Sequence, residues 1–164
     1  MPEYRIRPAT LDDVDMLVHH RVAMFRDMGR LASDREAALV LATADYLRDA
    51  LPGGEYLGWL AVSEVSPAEP IGGAGVQLRP ILPRPAAAGD GIVIGPEAII
   101  LNVYVEPAWR RRGVGEALMR SVLTALDERK IRRIVLHASD DGRRLYERLG
   151  FVATNEMRLE TPPT

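Results

Sequence analysis

The sequence predicts one α/β (α+β) domain, a mixed central β-sheet flanked by about four helices. Three observations carry this. The apolar period alternates between two and 3.6, in the order strand, two helices, three strands, helix, strand, helix, strand. The most strand-like run, Glu97–Val105, is almost continuously apolar, as for a strand covered on both faces. No internal repeat or linker divides the 164 residues, a length that suits a single core. The domain is expected over residues 1–160, with 161–164 a frayed, proline-containing tail.

Tyr4–Arg7 alternates and is closed by Pro8, so it reads as a strand. Thr10 and Asp13 resemble a capping box ahead of a helix over Leu11–Asp27, whose Val14, Leu17, Val18, Val22 and Phe25 share a face and which Gly29 stops. Ser33 caps a second helix, Asp34–Leu51, ended by Pro52 and two glycines. "YLGWLAVSEV" and "IGGAGVQLRPIL" are strands joined by "SPAEP", with Trp59 in the core. "PRPAAAGDGIVIGP" has no helical period and reads as a surface loop. After Glu97–Val105, a helix places Val114, Ala117, Leu118, Val122, Ala125 and Leu126 on one face. "RRIVLHA" is a strand, "DDGRRLYERLG" a short helix stopped by Gly150, and "FVATNEMRLE" a final strand with a polar break at Asn155–Glu156.

Composition narrows the function. A formal net charge of -2 argues against general nucleic-acid affinity. The absence of cysteine excludes disulfides, cysteine nucleophiles and thiolate metal sites, and it fits a cytoplasmic protein. The first residues are charged and lack a signal-peptide core, and no apolar run reaches membrane-spanning length. His19, His20 and His137 have no metal-ligand spacing, so no metal is expected.

The stretch "PAWRRRGVGEALM" demands more than packing. The first amides of a helix lack internal partners, and the helix dipole makes that end partly positive. Gly113 and Gly115 let an anion approach the backbone, and Arg110, Arg111 and Arg112 add charge. Together they make a phosphate or pyrophosphate site. A Walker loop would need Lys-Ser or Lys-Thr, and a dinucleotide fingerprint would need glycine where Leu118 stands, so both nucleotide readings are weak.

This stretch resembles the acyl-CoA pyrophosphate loop of the GNAT superfamily of N-acyltransferases, [RQ]-x-x-G-x-[GA], with Arg110, Gly113 and Gly115 in its fixed places. The similarity runs from Glu97 to Val152 and includes "LYERLGFV", which matches the family's tyrosine-bearing helix. The N-terminal half matches in element order only. The resemblance implies two central strands splayed to form a slot for acetyl-CoA, used as co-substrate. It implies that backbone groups of Val103, Tyr104 and Val105 pair with the pantetheine arm and polarise the thioester carbonyl. Amides from Arg111 to Glu116, Val114 and Gly115 among them, would hold the pyrophosphate, with Arg110 and its neighbours adding charge. Ser139 stands where the family often has Asn and would contact pantetheine or hold the loop.

The implied reaction is transfer of acetyl to a primary amine by direct attack in a ternary complex, with Tyr146 as proton donor to the leaving sulfur. Glu97 is the candidate general base; the family's base belongs in this strand, but Ile99 occupies the closest matching place, and the competing reading of Glu97 is a solvated strand end. Acceptor contacts are expected from "MFRDMGR", Tyr104 and the last strand, with Asp27 and Glu156 able to attract a cationic amine. The acceptor is a small molecule or peptide; neither nucleic acid nor membrane is an expected partner, and the family's strand-edge dimers allow a homodimer. The rival readings are a non-catalytic acyl-CoA-binding module of the same fold and a nucleotide-binding protein of another fold.

Overall fold

The computed structural model describes residues 3–160; the expected tail, 161–164, lies outside the described residues. Its sheet has the order β1 (Tyr4–Pro8), β2 (Tyr56–Ser63), β3 (Pro70–Pro80), β6 (Pro96–Val105), β7 (Arg133–Leu136). The first four pair antiparallel, and β6 and β7 pair parallel. The helices are α1 (Val14–Asp27), α2 (Glu36–Gly53), α3 (Val114–Glu128) and α4 (Asp140–Arg148). The expected mixed sheet with four helices is therefore found.

Successive side chains of a strand leave on opposite faces, and β2 shows how the sequence covers both. Leu60 and Val62 pack with Val14, Leu17, Val18, Val22 and Leu47 of α1 and α2. Trp59 and Ala61 pack with Val114, Leu118, Met119, Val122 and Leu126 of α3. The amphipathic stripe read for α3 is this second core. Helix starts are tighter than expected: Leu11–Asp13 and Ser33–Arg35 are single 3-10 turns leading into α1 and α2. The Thr10 amide donates to Asp13 Oδ2 at 2.8 Å, and Asp13 also takes a two-pronged bond from Arg7.

Two expectations change. The segment expected as a loop contains a minimal hairpin, β4 (Arg84–Pro85) with β5 (Ile92–Val93). The final strand expected over "FVATNEMRLE" does not form: residues 151–160 have no strand pairing, and Val152, Met157 and Leu159 are exposed. Phe151, Ala153, Met157 and Leu159 fall on one alternating face with Asn155 between them, but of these only Phe151 packs on the core, and the rest are exposed.

The sheet is irregular where it matters. Gly73 faces Tyr104 and Gly75 faces Leu101, so Asn102 and Val103 of β6 together oppose one residue of β3. This is a β-bulge, and Asn102 takes the left-handed φ of 56° that it requires. The glycine-rich β3 makes room beneath it. A Cβ at Gly75 would stand 1.9 Å from Tyr56 Oη, and one at Gly73 2.8 Å from His20 Nδ1.

Candidate active site

β6 has ten residues but pairs with β7 over only four, Glu97–Ile100 with Arg133–Leu136. Beyond that point the strands part, and residues 101–105 keep one edge with no strand beside it among the described residues. Two cavities open there. One of about 960 Å³ lies between β6, α1 and the β7–α4 turn; the other, about 860 Å³, lies between β6, the α3 N-terminus and α4. Val103, Val105, Arg110, Ser139, Asp140, Asp141 and Tyr146 line both, so the two are one continuous slot.

The α3 N-terminus delivers the expected amides. The first backbone bond of the helix runs from the Ala117 N–H to the Gly113 carbonyl at 3.0 Å, so the amides from Arg111 to Glu116 precede the helical ladder. Gly113 has φ 80° and Arg111 φ 60°, which turn the chain tightly into the helix. Arg111, Gly113, Val114, Gly115 and Glu116 line the slot.

The three arginines have separate fates. Only Arg111 faces the slot without an ion-pair partner among the described residues. Arg110 turns back: its Nε donates to the Val105 carbonyl at 2.8 Å, and its Nη2 is ion-paired with Asp27. It reads better as a clamp between β6 and α1 than as a phosphate contact. Arg112 lies over the Trp109 ring, 5.0 Å from its centroid, and reaches Glu3 at 3.7 Å, lining a different cavity. Glu116 receives Arg120 at 2.7 Å and Arg148 at 3.6 Å.

Ser139 is the N-cap of α4, its Oγ accepting from the Gly142 amide at 3.2 Å. Tyr146 lies one helical repeat further on and stacks edge-on against Phe151, centroids 6.1 Å apart. Burial pushes its phenol above the ordinary range, which keeps it protonated. Arg144, which the sequence reading did not single out, also lines the slot. Only the α4 register shows it, two residues before Tyr146.

Glu97 is corrected from base candidate to buried ion-pair anchor. Its side chain is 1% exposed and lies at the closed end of the β6–β7 pair, outside the residues lining the slot. Arg133 Nε bonds one oxygen and Arg79 Nε the other, the latter at 2.6 Å. Burial opposes its charge, but these two guanidiniums outweigh burial and hold its carboxyl below the usual range. A carboxylate so held is a poor proton acceptor. The acidic residues expected to attract an amine are also engaged, Asp27 with Arg110 and Glu156 with His137 at 2.6 Å.

Tyr104 is buried and points to the α1 side of the slot, where its hydroxyl donates to Glu106 Oε2 at 3.4 Å. Met24, Phe25 and Met28 line the same wall, and so does Arg21, whose position in the middle of α1 gave no local signal.

A bulged central strand parted from its parallel neighbour, with an open helix N-terminus at the mouth of the gap, defines an acyltransferase fold. A family model described as the acetyltransferase (GNAT) domain matches residues 91–161. A GCN5-related N-acetyltransferase from Ralstonia eutropha JMP134 is similar at 34% identity over 96% of this chain and 98% of that one, with a TM-score of 0.82. The chain belongs to the GCN5-related N-acetyltransferase family. A predicted acetyltransferase from Clostridium acetobutylicum, solved with acetyl-CoA, shares the fold at 24% identity and TM-score 0.79 over 96% of each chain. An aminoglycoside 6'-N-acetyltransferase from Acinetobacter baumannii shares it at 15% identity and TM-score 0.68, over 98% of this chain and 99% of that one. No protein with a curated description matches the chain. Among the described residues no helix is long and apolar enough to cross a membrane.

Proposed function

We propose that the protein is an acetyl-CoA-dependent N-acetyltransferase that acts on a small-molecule or peptide amine in a ternary complex. One observation carries this: the unpaired stretch of β6 opens directly onto the uncapped N-terminus of α3, with Tyr146 on the wall of both halves of the gap. The fold-mate solved with acetyl-CoA supports the choice of donor.

Each element has a task. Amides from Arg111 to Glu116, with the charge of Arg111 and Arg144, hold the diphosphate. The free edge at Val103–Val105 receives the pantetheine arm, and a backbone N–H there polarises the thioester carbonyl. The amine nitrogen forms a C–N bond as the C–S bond breaks. Tyr146 Oη supplies a proton to the departing sulfur, and the ammonium loses two protons in all, one replacing that of Tyr146 and one released to water. Asp27, Glu97 and Glu156 are engaged in ion pairs, whereas Asp140 and Asp141 line the slot without one among the described residues, and water in the cavity relays the proton away from the amine.

The reading is tested in two steps. Acetyl-CoA and CoA, but not ATP or NAD, should raise the melting temperature by mass action. Thiol release with a panel of amines should then show turnover. Stabilisation without turnover would make the protein an acyl-CoA sensor, and stabilisation by ATP or NAD alone would overturn the coenzyme assignment.

A further inference from the structure

We propose that the acceptor amine carries an anionic oxygen group, a carboxylate or a phosphate, which Arg21 binds a few atoms from the point of acetyl transfer. The proposal rests on the acetyltransferase reading and names its substrate class.

The larger half of the slot is lined by Arg21, Arg30 and Arg110 and by Asp27, Asp140 and Asp141, the last two at the start of α4. Arg110 is neutralised by Asp27 and His137 is paired with Glu156. Arg21 has no carboxylate within 4.0 Å among the described residues; its only hydrogen bond is from Nη1 to the neutral Oδ1 of Asn102, at 2.5 Å. A guanidinium has five N–H donors in a planar fork, so four remain. The group is half-buried, with Cζ 4.9 Å from the centroid of the Phe25 ring. A cation withdrawn from water with no counter-charge is costly, and a bound oxyanion offsets that cost with paired, charge-assisted bonds.

The arginine is also aimed. The bulge turns the Asn102 side chain inward, where Nδ2 donates to Tyr56 Oη at 3.0 Å. That bond fixes which end of the amide faces Arg21. Asn102 immediately precedes Val103, where the proposed thioester edge begins, and both line the same half of the slot as Arg21. An anion on Arg21 therefore lies close to the transfer site, which favours a short spacer between amine and anion, as in an amino acid or an amino phosphate. Arg30, also without a carboxylate partner among the described residues, stands 5.9 Å from the same Phe25 ring and adds positive field. A polyamine or aminoglycoside would bring its extra cations against these two.

The test uses matched acceptors in the thiol-release assay: amino acids against their amides, amino sugar phosphates against the free amino sugars, and spermidine. Wild type should favour the anionic member of a pair by about 10- to 100-fold in kcat/KM, the range expected of hydrogen bonds between charged groups. In Arg21→Gln the two members should converge, through a higher KM for the anionic one, and Arg21→Lys should restore part of the difference. Preference for neutral or cationic acceptors, or equal losses on both members in Arg21→Gln, overturns the proposal. A second readout needs no turnover. With CoA present, N-acetylated amino acids should raise the melting temperature of wild type but not of Arg21→Gln, and N-acetylated amides should raise neither; no difference between carboxylate and amide overturns the proposal. Turnover without charge preference sinks this inference alone. Charge-selective binding without turnover of any amine sinks the catalytic reading and leaves the anion site standing.

Discussion

A Cβ on Gly142 would stand 2.8 Å from Cε2 of Tyr146 and 3.2 Å from Oγ of Ser139. The tyrosine ring therefore lies against the first turn of its own helix, and the missing side chain leaves it room. Gly142→Ala should separate activity from stability. Alanine is the better helix former by about 1 kcal/mol, which offsets the crowding, so the melting temperature should hold or rise. The displaced ring should lower kcat by about tenfold or more, as small misplacements of reacting groups do. An unchanged kcat would show that the ring's position does not matter.

Tyr146→Phe removes the proton donor and leaves the ring. Burial keeps the phenol protonated well above neutral pH, so the donor is in its working form across the physiological range. The expected loss is roughly 10²-fold in kcat, with acetyl-CoA affinity retained in a direct binding measurement. A rate near wild type would remove Tyr146 from the chemistry.

Glu97→Gln should cost stability and spare chemistry. The carboxylate joins Arg79 of β3 to Arg133 of β7 across β6, and losing charged hydrogen bonds of this kind costs about 2 kcal/mol. The folded protein holds this carboxyl below its ordinary value. Its contribution is therefore present above the unfolded value, about 4.3, and lost as pH falls through the folded one. Urea midpoints at pH 7 should separate wild type from variant, and the gap should close in acid. A shift in the pH–rate profile without loss of stability would reinstate Glu97 as a base.

The parts of the site read from the sequence are those whose signal is local. Gly113 and Gly115 sit between a buried strand and an amphipathic helix, and adjacency alone makes that turn an anion site. Tyr146 and Ser139 share one short helix and its cap, again a local pattern. The unread parts depend on residues distant in sequence. Nothing near Arg110 tells that Asp27 will neutralise it, and nothing near Glu97 tells that Arg79 and Arg133 will enclose it. Arg21 gains its meaning only from a bulge in β6 that turns Asn102 toward it. The final strand differs for a related reason: Phe151, Ala153, Met157 and Leu159 alternate as in a strand, but a strand also needs a neighbour to pair with, and among the described residues the sheet ends at β7.

His20 provides a test of the core under β3. It is 1% exposed, neither ring nitrogen makes a well-formed hydrogen bond among the described residues, though the Pro70 backbone is near enough to favour the protonated ring slightly, and the ring lies 5.4 Å from that of Tyr104 between centroids. Burial lowers its pKa to about 4, a shift opposed by Glu106, whose Oε1 lies 3.9 Å from Nε2. In the unfolded chain the same ring takes a proton near pH 6.5. Between pH 6.5 and about 4 the unfolded state therefore binds the extra proton, and stability falls as pH falls through that window. From pH 7 to pH 5 the loss due to this one group is about 2 kcal/mol. His20→Leu removes the titration and keeps an apolar filler. Urea unfolding of both proteins at pH 7 and pH 5 should show wild type losing about 2 kcal/mol more than the variant. Equal losses would mean that the folded protein protonates this ring as readily as water does.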